Sequence, residues 1–242
     1  MEVYLIHGGW QGGWCWQGVK SELESRGHRV SAPTLPGLEV DSVRRAAAGL
    51  SSLVAFVARD MVKRDLRDVV LVGHSGGGPV VQGVLEFAGE RVATAVYMSA
   101  RILLDGECIL DHVEPDRRRE MTSAAAASHD NSVTINEEVW VNGLCADINE
   151  AWARAYWPGV VPCPFGWLDQ PARLPTDAWR RVPSAYIFLK GERPAAQSLY
   201  RKMAARLPNA RIEHCPGGHQ AMLSQPVEVA EAILRAGRET SL

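Results

Sequence analysis

A chain of 242 residues with 46% hydrophobic and 22% charged side chains can bury a full core, and suits one α/β unit better than two small domains. A formal net charge of -2 leaves no electrostatic footprint for nucleic acid, and Arg117-Arg118-Arg119, between Asp116 and Glu120, reads as a solvated helix face. Five cysteines with no CxxC pair point to neither a disulfide framework nor a zinc site and fit a reducing cytoplasm, and no leader or membrane-spanning run is visible.

The first predicted element is a strand over Val3–Ile6, short, apolar and followed by the turn residues His7-Gly8-Gly9-Trp10. A helix is predicted over Gly13–Arg26, a strand over Arg29–Ala32 that stops at Pro33, and an amphipathic helix over Leu50–Arg64. Asp68-Val69-Val70-Leu71-Val72 then has the length and β-branched content of a buried parallel strand. It runs into Gly73-His74-Ser75-Gly76-Gly77, with a small-residue helix over Gly76–Gly89 behind it.

Gly-x-Ser-x-Gly between a strand and a helix is the nucleophile elbow. Its glycines leave room for a sharp turn that lifts the Ser75 hydroxyl above the sheet edge. The helix that follows turns its free N–H groups and positive dipole end toward whatever the serine attacks.

Downstream, strands are predicted over Ala93–Met98, Ala185–Leu189 and Arg211–His214, with helices over Pro194–Leu207 and Pro226–Arg235. Strands alternating with helices predict a mostly parallel six-stranded sheet flanked by helices, with ligand-binding loops beyond the carboxyl ends of the strands. The alternation breaks across residues 105–182, too long for a structureless loop, so an inserted helical lid is expected between core segments 1–104 and 183–242.

A serine hydroxyl needs a base within hydrogen-bond reach, itself oriented by an acid. His219, in Cys215-Pro216-Gly217-Gly218-His219-Gln220 after the last predicted strand, is the expected base. Glu192, in Lys190-Gly191-Glu192-Arg193, is the expected acid, with Asp105 in reserve. His74 is expected to pack inside the elbow and His7 to brace the first turn. The N–H groups of Gly9 and Gly76 are the expected donors to an oxyanion. Five tryptophans fall in the presumed lid; Trp140, Trp157 and Trp167, with Trp10, are the expected aromatic walls of a substrate pocket.

Together these residues resemble the α/β-hydrolase superfamily, and within it the small esterases related to plant methylesterases and hydroxynitrile lyases. The resemblance rests on Val3–Trp10 with Gly13-Trp14-Cys15-Trp16, on Pro33-Thr34-Leu35-Pro36-Gly37, on Gly73–Gly77, and on His219 with Ser224-Gln225-Pro226. It implies the α/β-hydrolase fold and an esterase needing no metal or organic cofactor. Two departures stand out. The pattern has aspartate where this chain has Glu192, followed by a longer loop before Gln197. The cyanohydrin-cleaving members carry a hydroxylated residue at Gly8 and a lysine at Gln220.

The expected activity is hydrolysis of a carboxylic ester, lactone or thioester of a bulky hydrophobic or aromatic small molecule through an acyl-enzyme on Ser75. A lyase or cyclase moving protons with Ser75 and His219, and a receptor-like binder with slow turnover, stay open. No nucleic-acid or membrane partner is expected, and a homodimer is the assembly left open.

Overall fold

The computed structural model describes residues 1–238, so positions 239–242 of the expected core lie outside the described residues. In chain order the core opens with β1 (Glu2–Ile6), α1 (Gln17–Ser25), β2 (Arg29–Ser31), α2 (Leu50–Lys63), β3 (Val69–His74), α3 (Gly77–Ala88) and β4 (Val92–Met98). An inserted stretch carries α4 (Pro115–Ala127), β5 (Ser132–Val133), α5 (Glu150–Tyr156), β6 (Cys163–Pro164) and α6 (Phe165–Asp169). The core resumes with β7 (Ser184–Leu189), α7 (Pro194–Ala204), β8 (Arg211–Cys215), α8 (Ala221–Ser224) and α9 (Pro226–Ala236). The helix predicted from Gly13 starts as a 3-10 turn over Gly13–Trp16 before α1.

All six core strands are parallel, in the order β2-β1-β3-β4-β7-β8. Period-two alternation divides the strand side chains between two cores. Tyr4, Ile6, Leu71 and Tyr97 point to the layer that holds α2, α3 and α7. Val3, Leu5, Val72 and Met98 point to the layer that holds α1 and α9. Buried on both faces, these strands read as continuous apolar runs, and each such side chain contributes about 1.5–3 kcal/mol relative to exposure.

The inserted stretch has its own small core of Trp140, Val141, Cys145 and Ala153, and its β5 and β6 form a separate antiparallel pair. Arg45, just before α2, reaches Asp130 of this stretch in a largely buried ion pair at 2.9 Å. Among the described residues no helix is long and apolar enough to cross a membrane.

Candidate active site

Three loops beyond the carboxyl ends of β3, β7 and β8 bring Ser75, Glu192 and His219 together. Ser75 follows the last residue of β3 with φ of 53°, a left-handed conformation that costs a non-glycine residue about 1–3 kcal/mol. Neighbours hold it there. Its N–H donates to the Met98 carbonyl at 3.2 Å, and its own carbonyl accepts from the N–H groups of Gly78 (3.3 Å) and Arg101 (3.0 Å). The turn closes because position 73 lacks a side chain: a Cβ there would lie 2.7 Å from Val81 Cγ2 and 2.8 Å from the Gly77 carbonyl oxygen.

His219 bridges the other two residues. Its Nδ1–H donates to Glu192 Oε1 at 2.6 Å, which leaves Nε2 to accept from the Ser75 hydroxyl at 3.2 Å. Glu192 is buried, its N–H bonded to the Leu189 carbonyl (3.3 Å) and its carbonyl oxygen to Gln197 Nε2 (2.8 Å). Asp105, the reserve acid, is exposed and accepts the Leu174 N–H at 2.7 Å instead.

Two further imidazoles lie close by and both are buried. His7 donates Nδ1–H to the Gly8 carbonyl (2.8 Å) and accepts the Leu35 N–H on Nε2 (3.0 Å), bracing the first turn against the loop after β2. Burial holds it neutral, with its pKa lowered to about 4. His74 packs its ring 4.6 Å from that of His219, and burial pushes its pKa well down. Because unfolded His7 takes up a proton near pH 6.5 and folded His7 only near 4, the unfolded chain binds more protons between those values. Stability is therefore full above pH 6.5 and falls toward pH 4, by about 3 kcal/mol from His7 alone, with His74 acting in the same direction. Denaturant titrations at several pH values should show this slope, and His7→Gln should flatten it while lowering stability at pH 7.5; an unchanged slope would refute it.

The first turn passes directly beside the elbow. A Cβ at Gly8 would lie 3.1 Å from both Ser75 Cβ and His74 Nδ1, so a larger residue there would press on the serine. Among the described residues the N–H groups of Gly9 and Gly76 donate to no backbone acceptor outside regular elements, which leaves them available. Trp10 closes the turn at φ of 62°, held by Nε1–H to the Val133 carbonyl (2.8 Å) and by the Val161 N–H on its own carbonyl (3.0 Å). Cys163 packs beneath Gly9, and burial pushes its thiol up to about 12, so it fills space as a neutral group.

Ser75 and His219 open into a cavity of about 240 Å³ whose wall includes Trp10, Arg101, Asp147 and Tyr200. Of the expected aromatic lining, Trp10 stands in the wall, and Trp140, Trp157 and Trp167 do not. Trp140 is fully buried in the inserted stretch's own core, with Nε1–H on the Ala153 carbonyl (2.8 Å), and Trp157 packs against the same cluster. Trp167 clamps the elbow from outside the cavity, donating to the Gly76 carbonyl at 3.2 Å. Short helices need a core of their own, and large indoles supplied it. Gln220 is likewise buried away from this wall.

Among the wall residues that the sequence did not point to are Tyr200, Asp147 and Arg101. Tyr200 of α7 stacks parallel to His219 with centroids 6.1 Å apart. Asp147 accepts the Gly218 N–H at 2.5 Å, tying the inserted stretch to the histidine loop. Arg101 follows β4 and forms part of the cavity wall, with Nη1 donating to the His112 carbonyl at 3.1 Å. An arginine or an aspartate in such a stretch looks like any surface charge, so no local signal marked them.

A parallel sheet with a strained serine at a strand-to-helix turn, hydrogen-bonded to histidine, is the framework of an α/β hydrolase. The chain belongs to the alpha/beta hydrolase family, whose profile matches residues 3–232. Among curated proteins it is 26% identical to the carbendazim hydrolyzing esterase of Nocardioides sp. (strain SG-4G), over 96% of this chain and 98% of that one. It is 24% identical to esterase PIR7B of Oryza sativa subsp. japonica, over 96% and 93% of the two chains. The match to methylesterase 1 of Arabidopsis thaliana is 34% identical but spans only 40% of this chain and 38% of that protein. Among solved structures, an extracellular alpha/beta-hydrolase from a Paenibacillus species, described as sharing structural and functional homology with tobacco salicylic acid binding protein 2, superimposes with a TM-score of 0.92. It is 25% identical and covers 99% of this chain and 100% of that one. Polyneuridine aldehyde esterase shares the fold at a TM-score of 0.80 and 22% identity, over 98% and 99% of the two chains.

Proposed function

We propose that this protein is a serine hydrolase of carboxylic esters that works through an acyl-enzyme on Ser75. The observation that carries the reading is the unbroken hydrogen-bonded series Ser75 Oγ–His219–Glu192, at 3.2 and 2.6 Å, beginning on a residue held in the left-handed region. His219 Nε2 takes the hydroxyl proton as Ser75 attacks the carbonyl carbon, and Glu192 holds the imidazolium that forms. The Gly76 N–H, at the start of α3, and the Gly9 N–H stabilise the tetrahedral oxyanion. His219 then gives its proton to the leaving alcohol, activates a water, and returns Ser75 to its starting state. Residues 105–182 serve as the lid, a reading supported by the part Gly143, Leu144 and Asp147 take in the cavity wall. Full-length relatives that carry the name esterase support ester chemistry over other reactions of the fold.

A fluorophosphonate probe should give one covalent adduct, on Ser75 by peptide mass spectrometry, and none in His219→Ala. Ester turnover in ¹⁸O-water should place one heavy oxygen in the acid product. Turnover without label incorporation would make the protein a lyase or cyclase, and the absence of both adduct and turnover would leave a binder.

A further inference from the structure

Charge in the cavity wall is unevenly satisfied. Two carboxylates line it, and both are engaged: Glu192 with His219 at 2.6 Å, and Asp147 with the Gly218 N–H at 2.5 Å and Ser224 Oγ at 3.5 Å. Two arginines line it as well, and among the described residues neither has a carboxylate within ion-pair distance. Arg193 is exposed and donates to the Asn142 carbonyl. Arg101 is half-buried, and the one side-chain bond it makes is from Nη1 to the His112 carbonyl, at 3.1 Å.

A guanidinium has five N–H donors in a rigid fork, so most of the donors of Arg101 are unmet by protein while water is partly excluded. Its place is fixed from the other end. The Arg101 backbone N–H is bonded to the Ser75 carbonyl at 3.0 Å, so the main chain that carries the cation is anchored on the turn that presents the hydroxyl. The charge is also felt inside the site, where it opposes the rise that burial imposes on the Tyr200 hydroxyl.

We propose that Arg101 receives a carboxylate of the substrate, so that the ester cleaved at Ser75 bears a second, ionised acid group. The proposal rests on the hydrolase reading above and replaces the bulky apolar substrate expected from the tryptophans. A cavity of about 240 Å³ lies below the roughly 300–1,000 Å³ of drug-sized pockets. A cavity of this size favours a short substrate, such as a monoester of a short dicarboxylic acid. A planar fork matches a carboxylate in two parallel bonds, which fixes where the carbonyl sits as well as adding affinity.

Two pairs of esters place the acid on either side of the scissile bond: mono-p-nitrophenyl glutarate against p-nitrophenyl pentanoate, and 4-acetoxybenzoate against phenyl acetate. In the wild-type enzyme the acidic member of at least one pair should have the higher kcat/KM, by about ten- to a hundredfold. Arg101→Met should collapse that ratio at least tenfold, and Arg101→Lys, which keeps the charge but loses the fork, should retain part of it. Ratios at or below one in both pairs, or ratios that Arg101→Met leaves in place, would overturn the proposal. If no ester is turned over, the hydrolase reading fails separately, and calorimetry with glutarate decides the anion site. Binding that weakens at least tenfold in Arg101→Met upholds it; no binding, or binding unaffected by the substitution, overturns it.

Discussion

Replacing Ser75 by alanine should lower kcat for p-nitrophenyl esters by about 10⁶-fold, with the folded structure retained. The alanine keeps the backbone bonds to Met98, Gly78 and Arg101 that hold the turn, and loses only the hydroxyl that meets His219 at 3.2 Å. Without that oxygen no acyl-enzyme forms, and what remains is the oxyanion donors and binding, worth about 10³–10⁴ over water. His219→Ala should cost about as much, and the double variant no more than either, because the two residues act as a unit. Stopped-assay kinetics on protein whose circular dichroism matches the wild type decides the matter. A Ser75→Ala enzyme within tenfold of wild type would end the proposed mechanism.

The second large effect is at Glu192. Glu192→Gln preserves shape, yet kcat should fall by about 10⁴-fold. The carboxylate can only accept from Nδ1–H, and this leaves the Nε2 lone pair facing Ser75. An amide can present N–H to Nδ1 instead, and the imidazole then carries its proton on Nε2, where it can no longer take one from serine. Glu192→Asp retains the charge but is shorter by one methylene, so the 2.6 Å bond lengthens and an intermediate loss is expected. Asp105→Asn should stay near wild type, since Asp105 only receives the Leu174 N–H. Activity lost in Asp105→Asn and kept in Glu192→Gln would reverse the assignment of the acid.

How far these residues could be read from the chain depended on whether their surroundings were local. Val69–Val72 is a buried strand whatever it pairs with, and Gly73 and Gly77 mark a turn that few other residues could close, so the elbow was legible from ten consecutive positions. Glu192 and His219 follow β7 and β8 directly, and a parallel sheet carries both loops to the same edge. The tryptophans had no such constraint. An indole can wall a cavity or fill a small core with equal chemical ease, and only the path of the inserted stretch sent Trp140 and Trp157 inward. Arg101, Asp147 and Tyr200 meet around Ser75 through contacts between residues dozens of positions apart, and no short-range pattern records such a meeting.

The bonds between Trp10 and both Val133 and Val161, and between Gly218 and Asp147, join one stretch of chain to both shoulders of the reacting groups. The same stretch shapes the space a ligand occupies. Selectivity and rate are thus mechanically linked in this scaffold: a change that reshapes the chamber also tugs on the imidazole's footing.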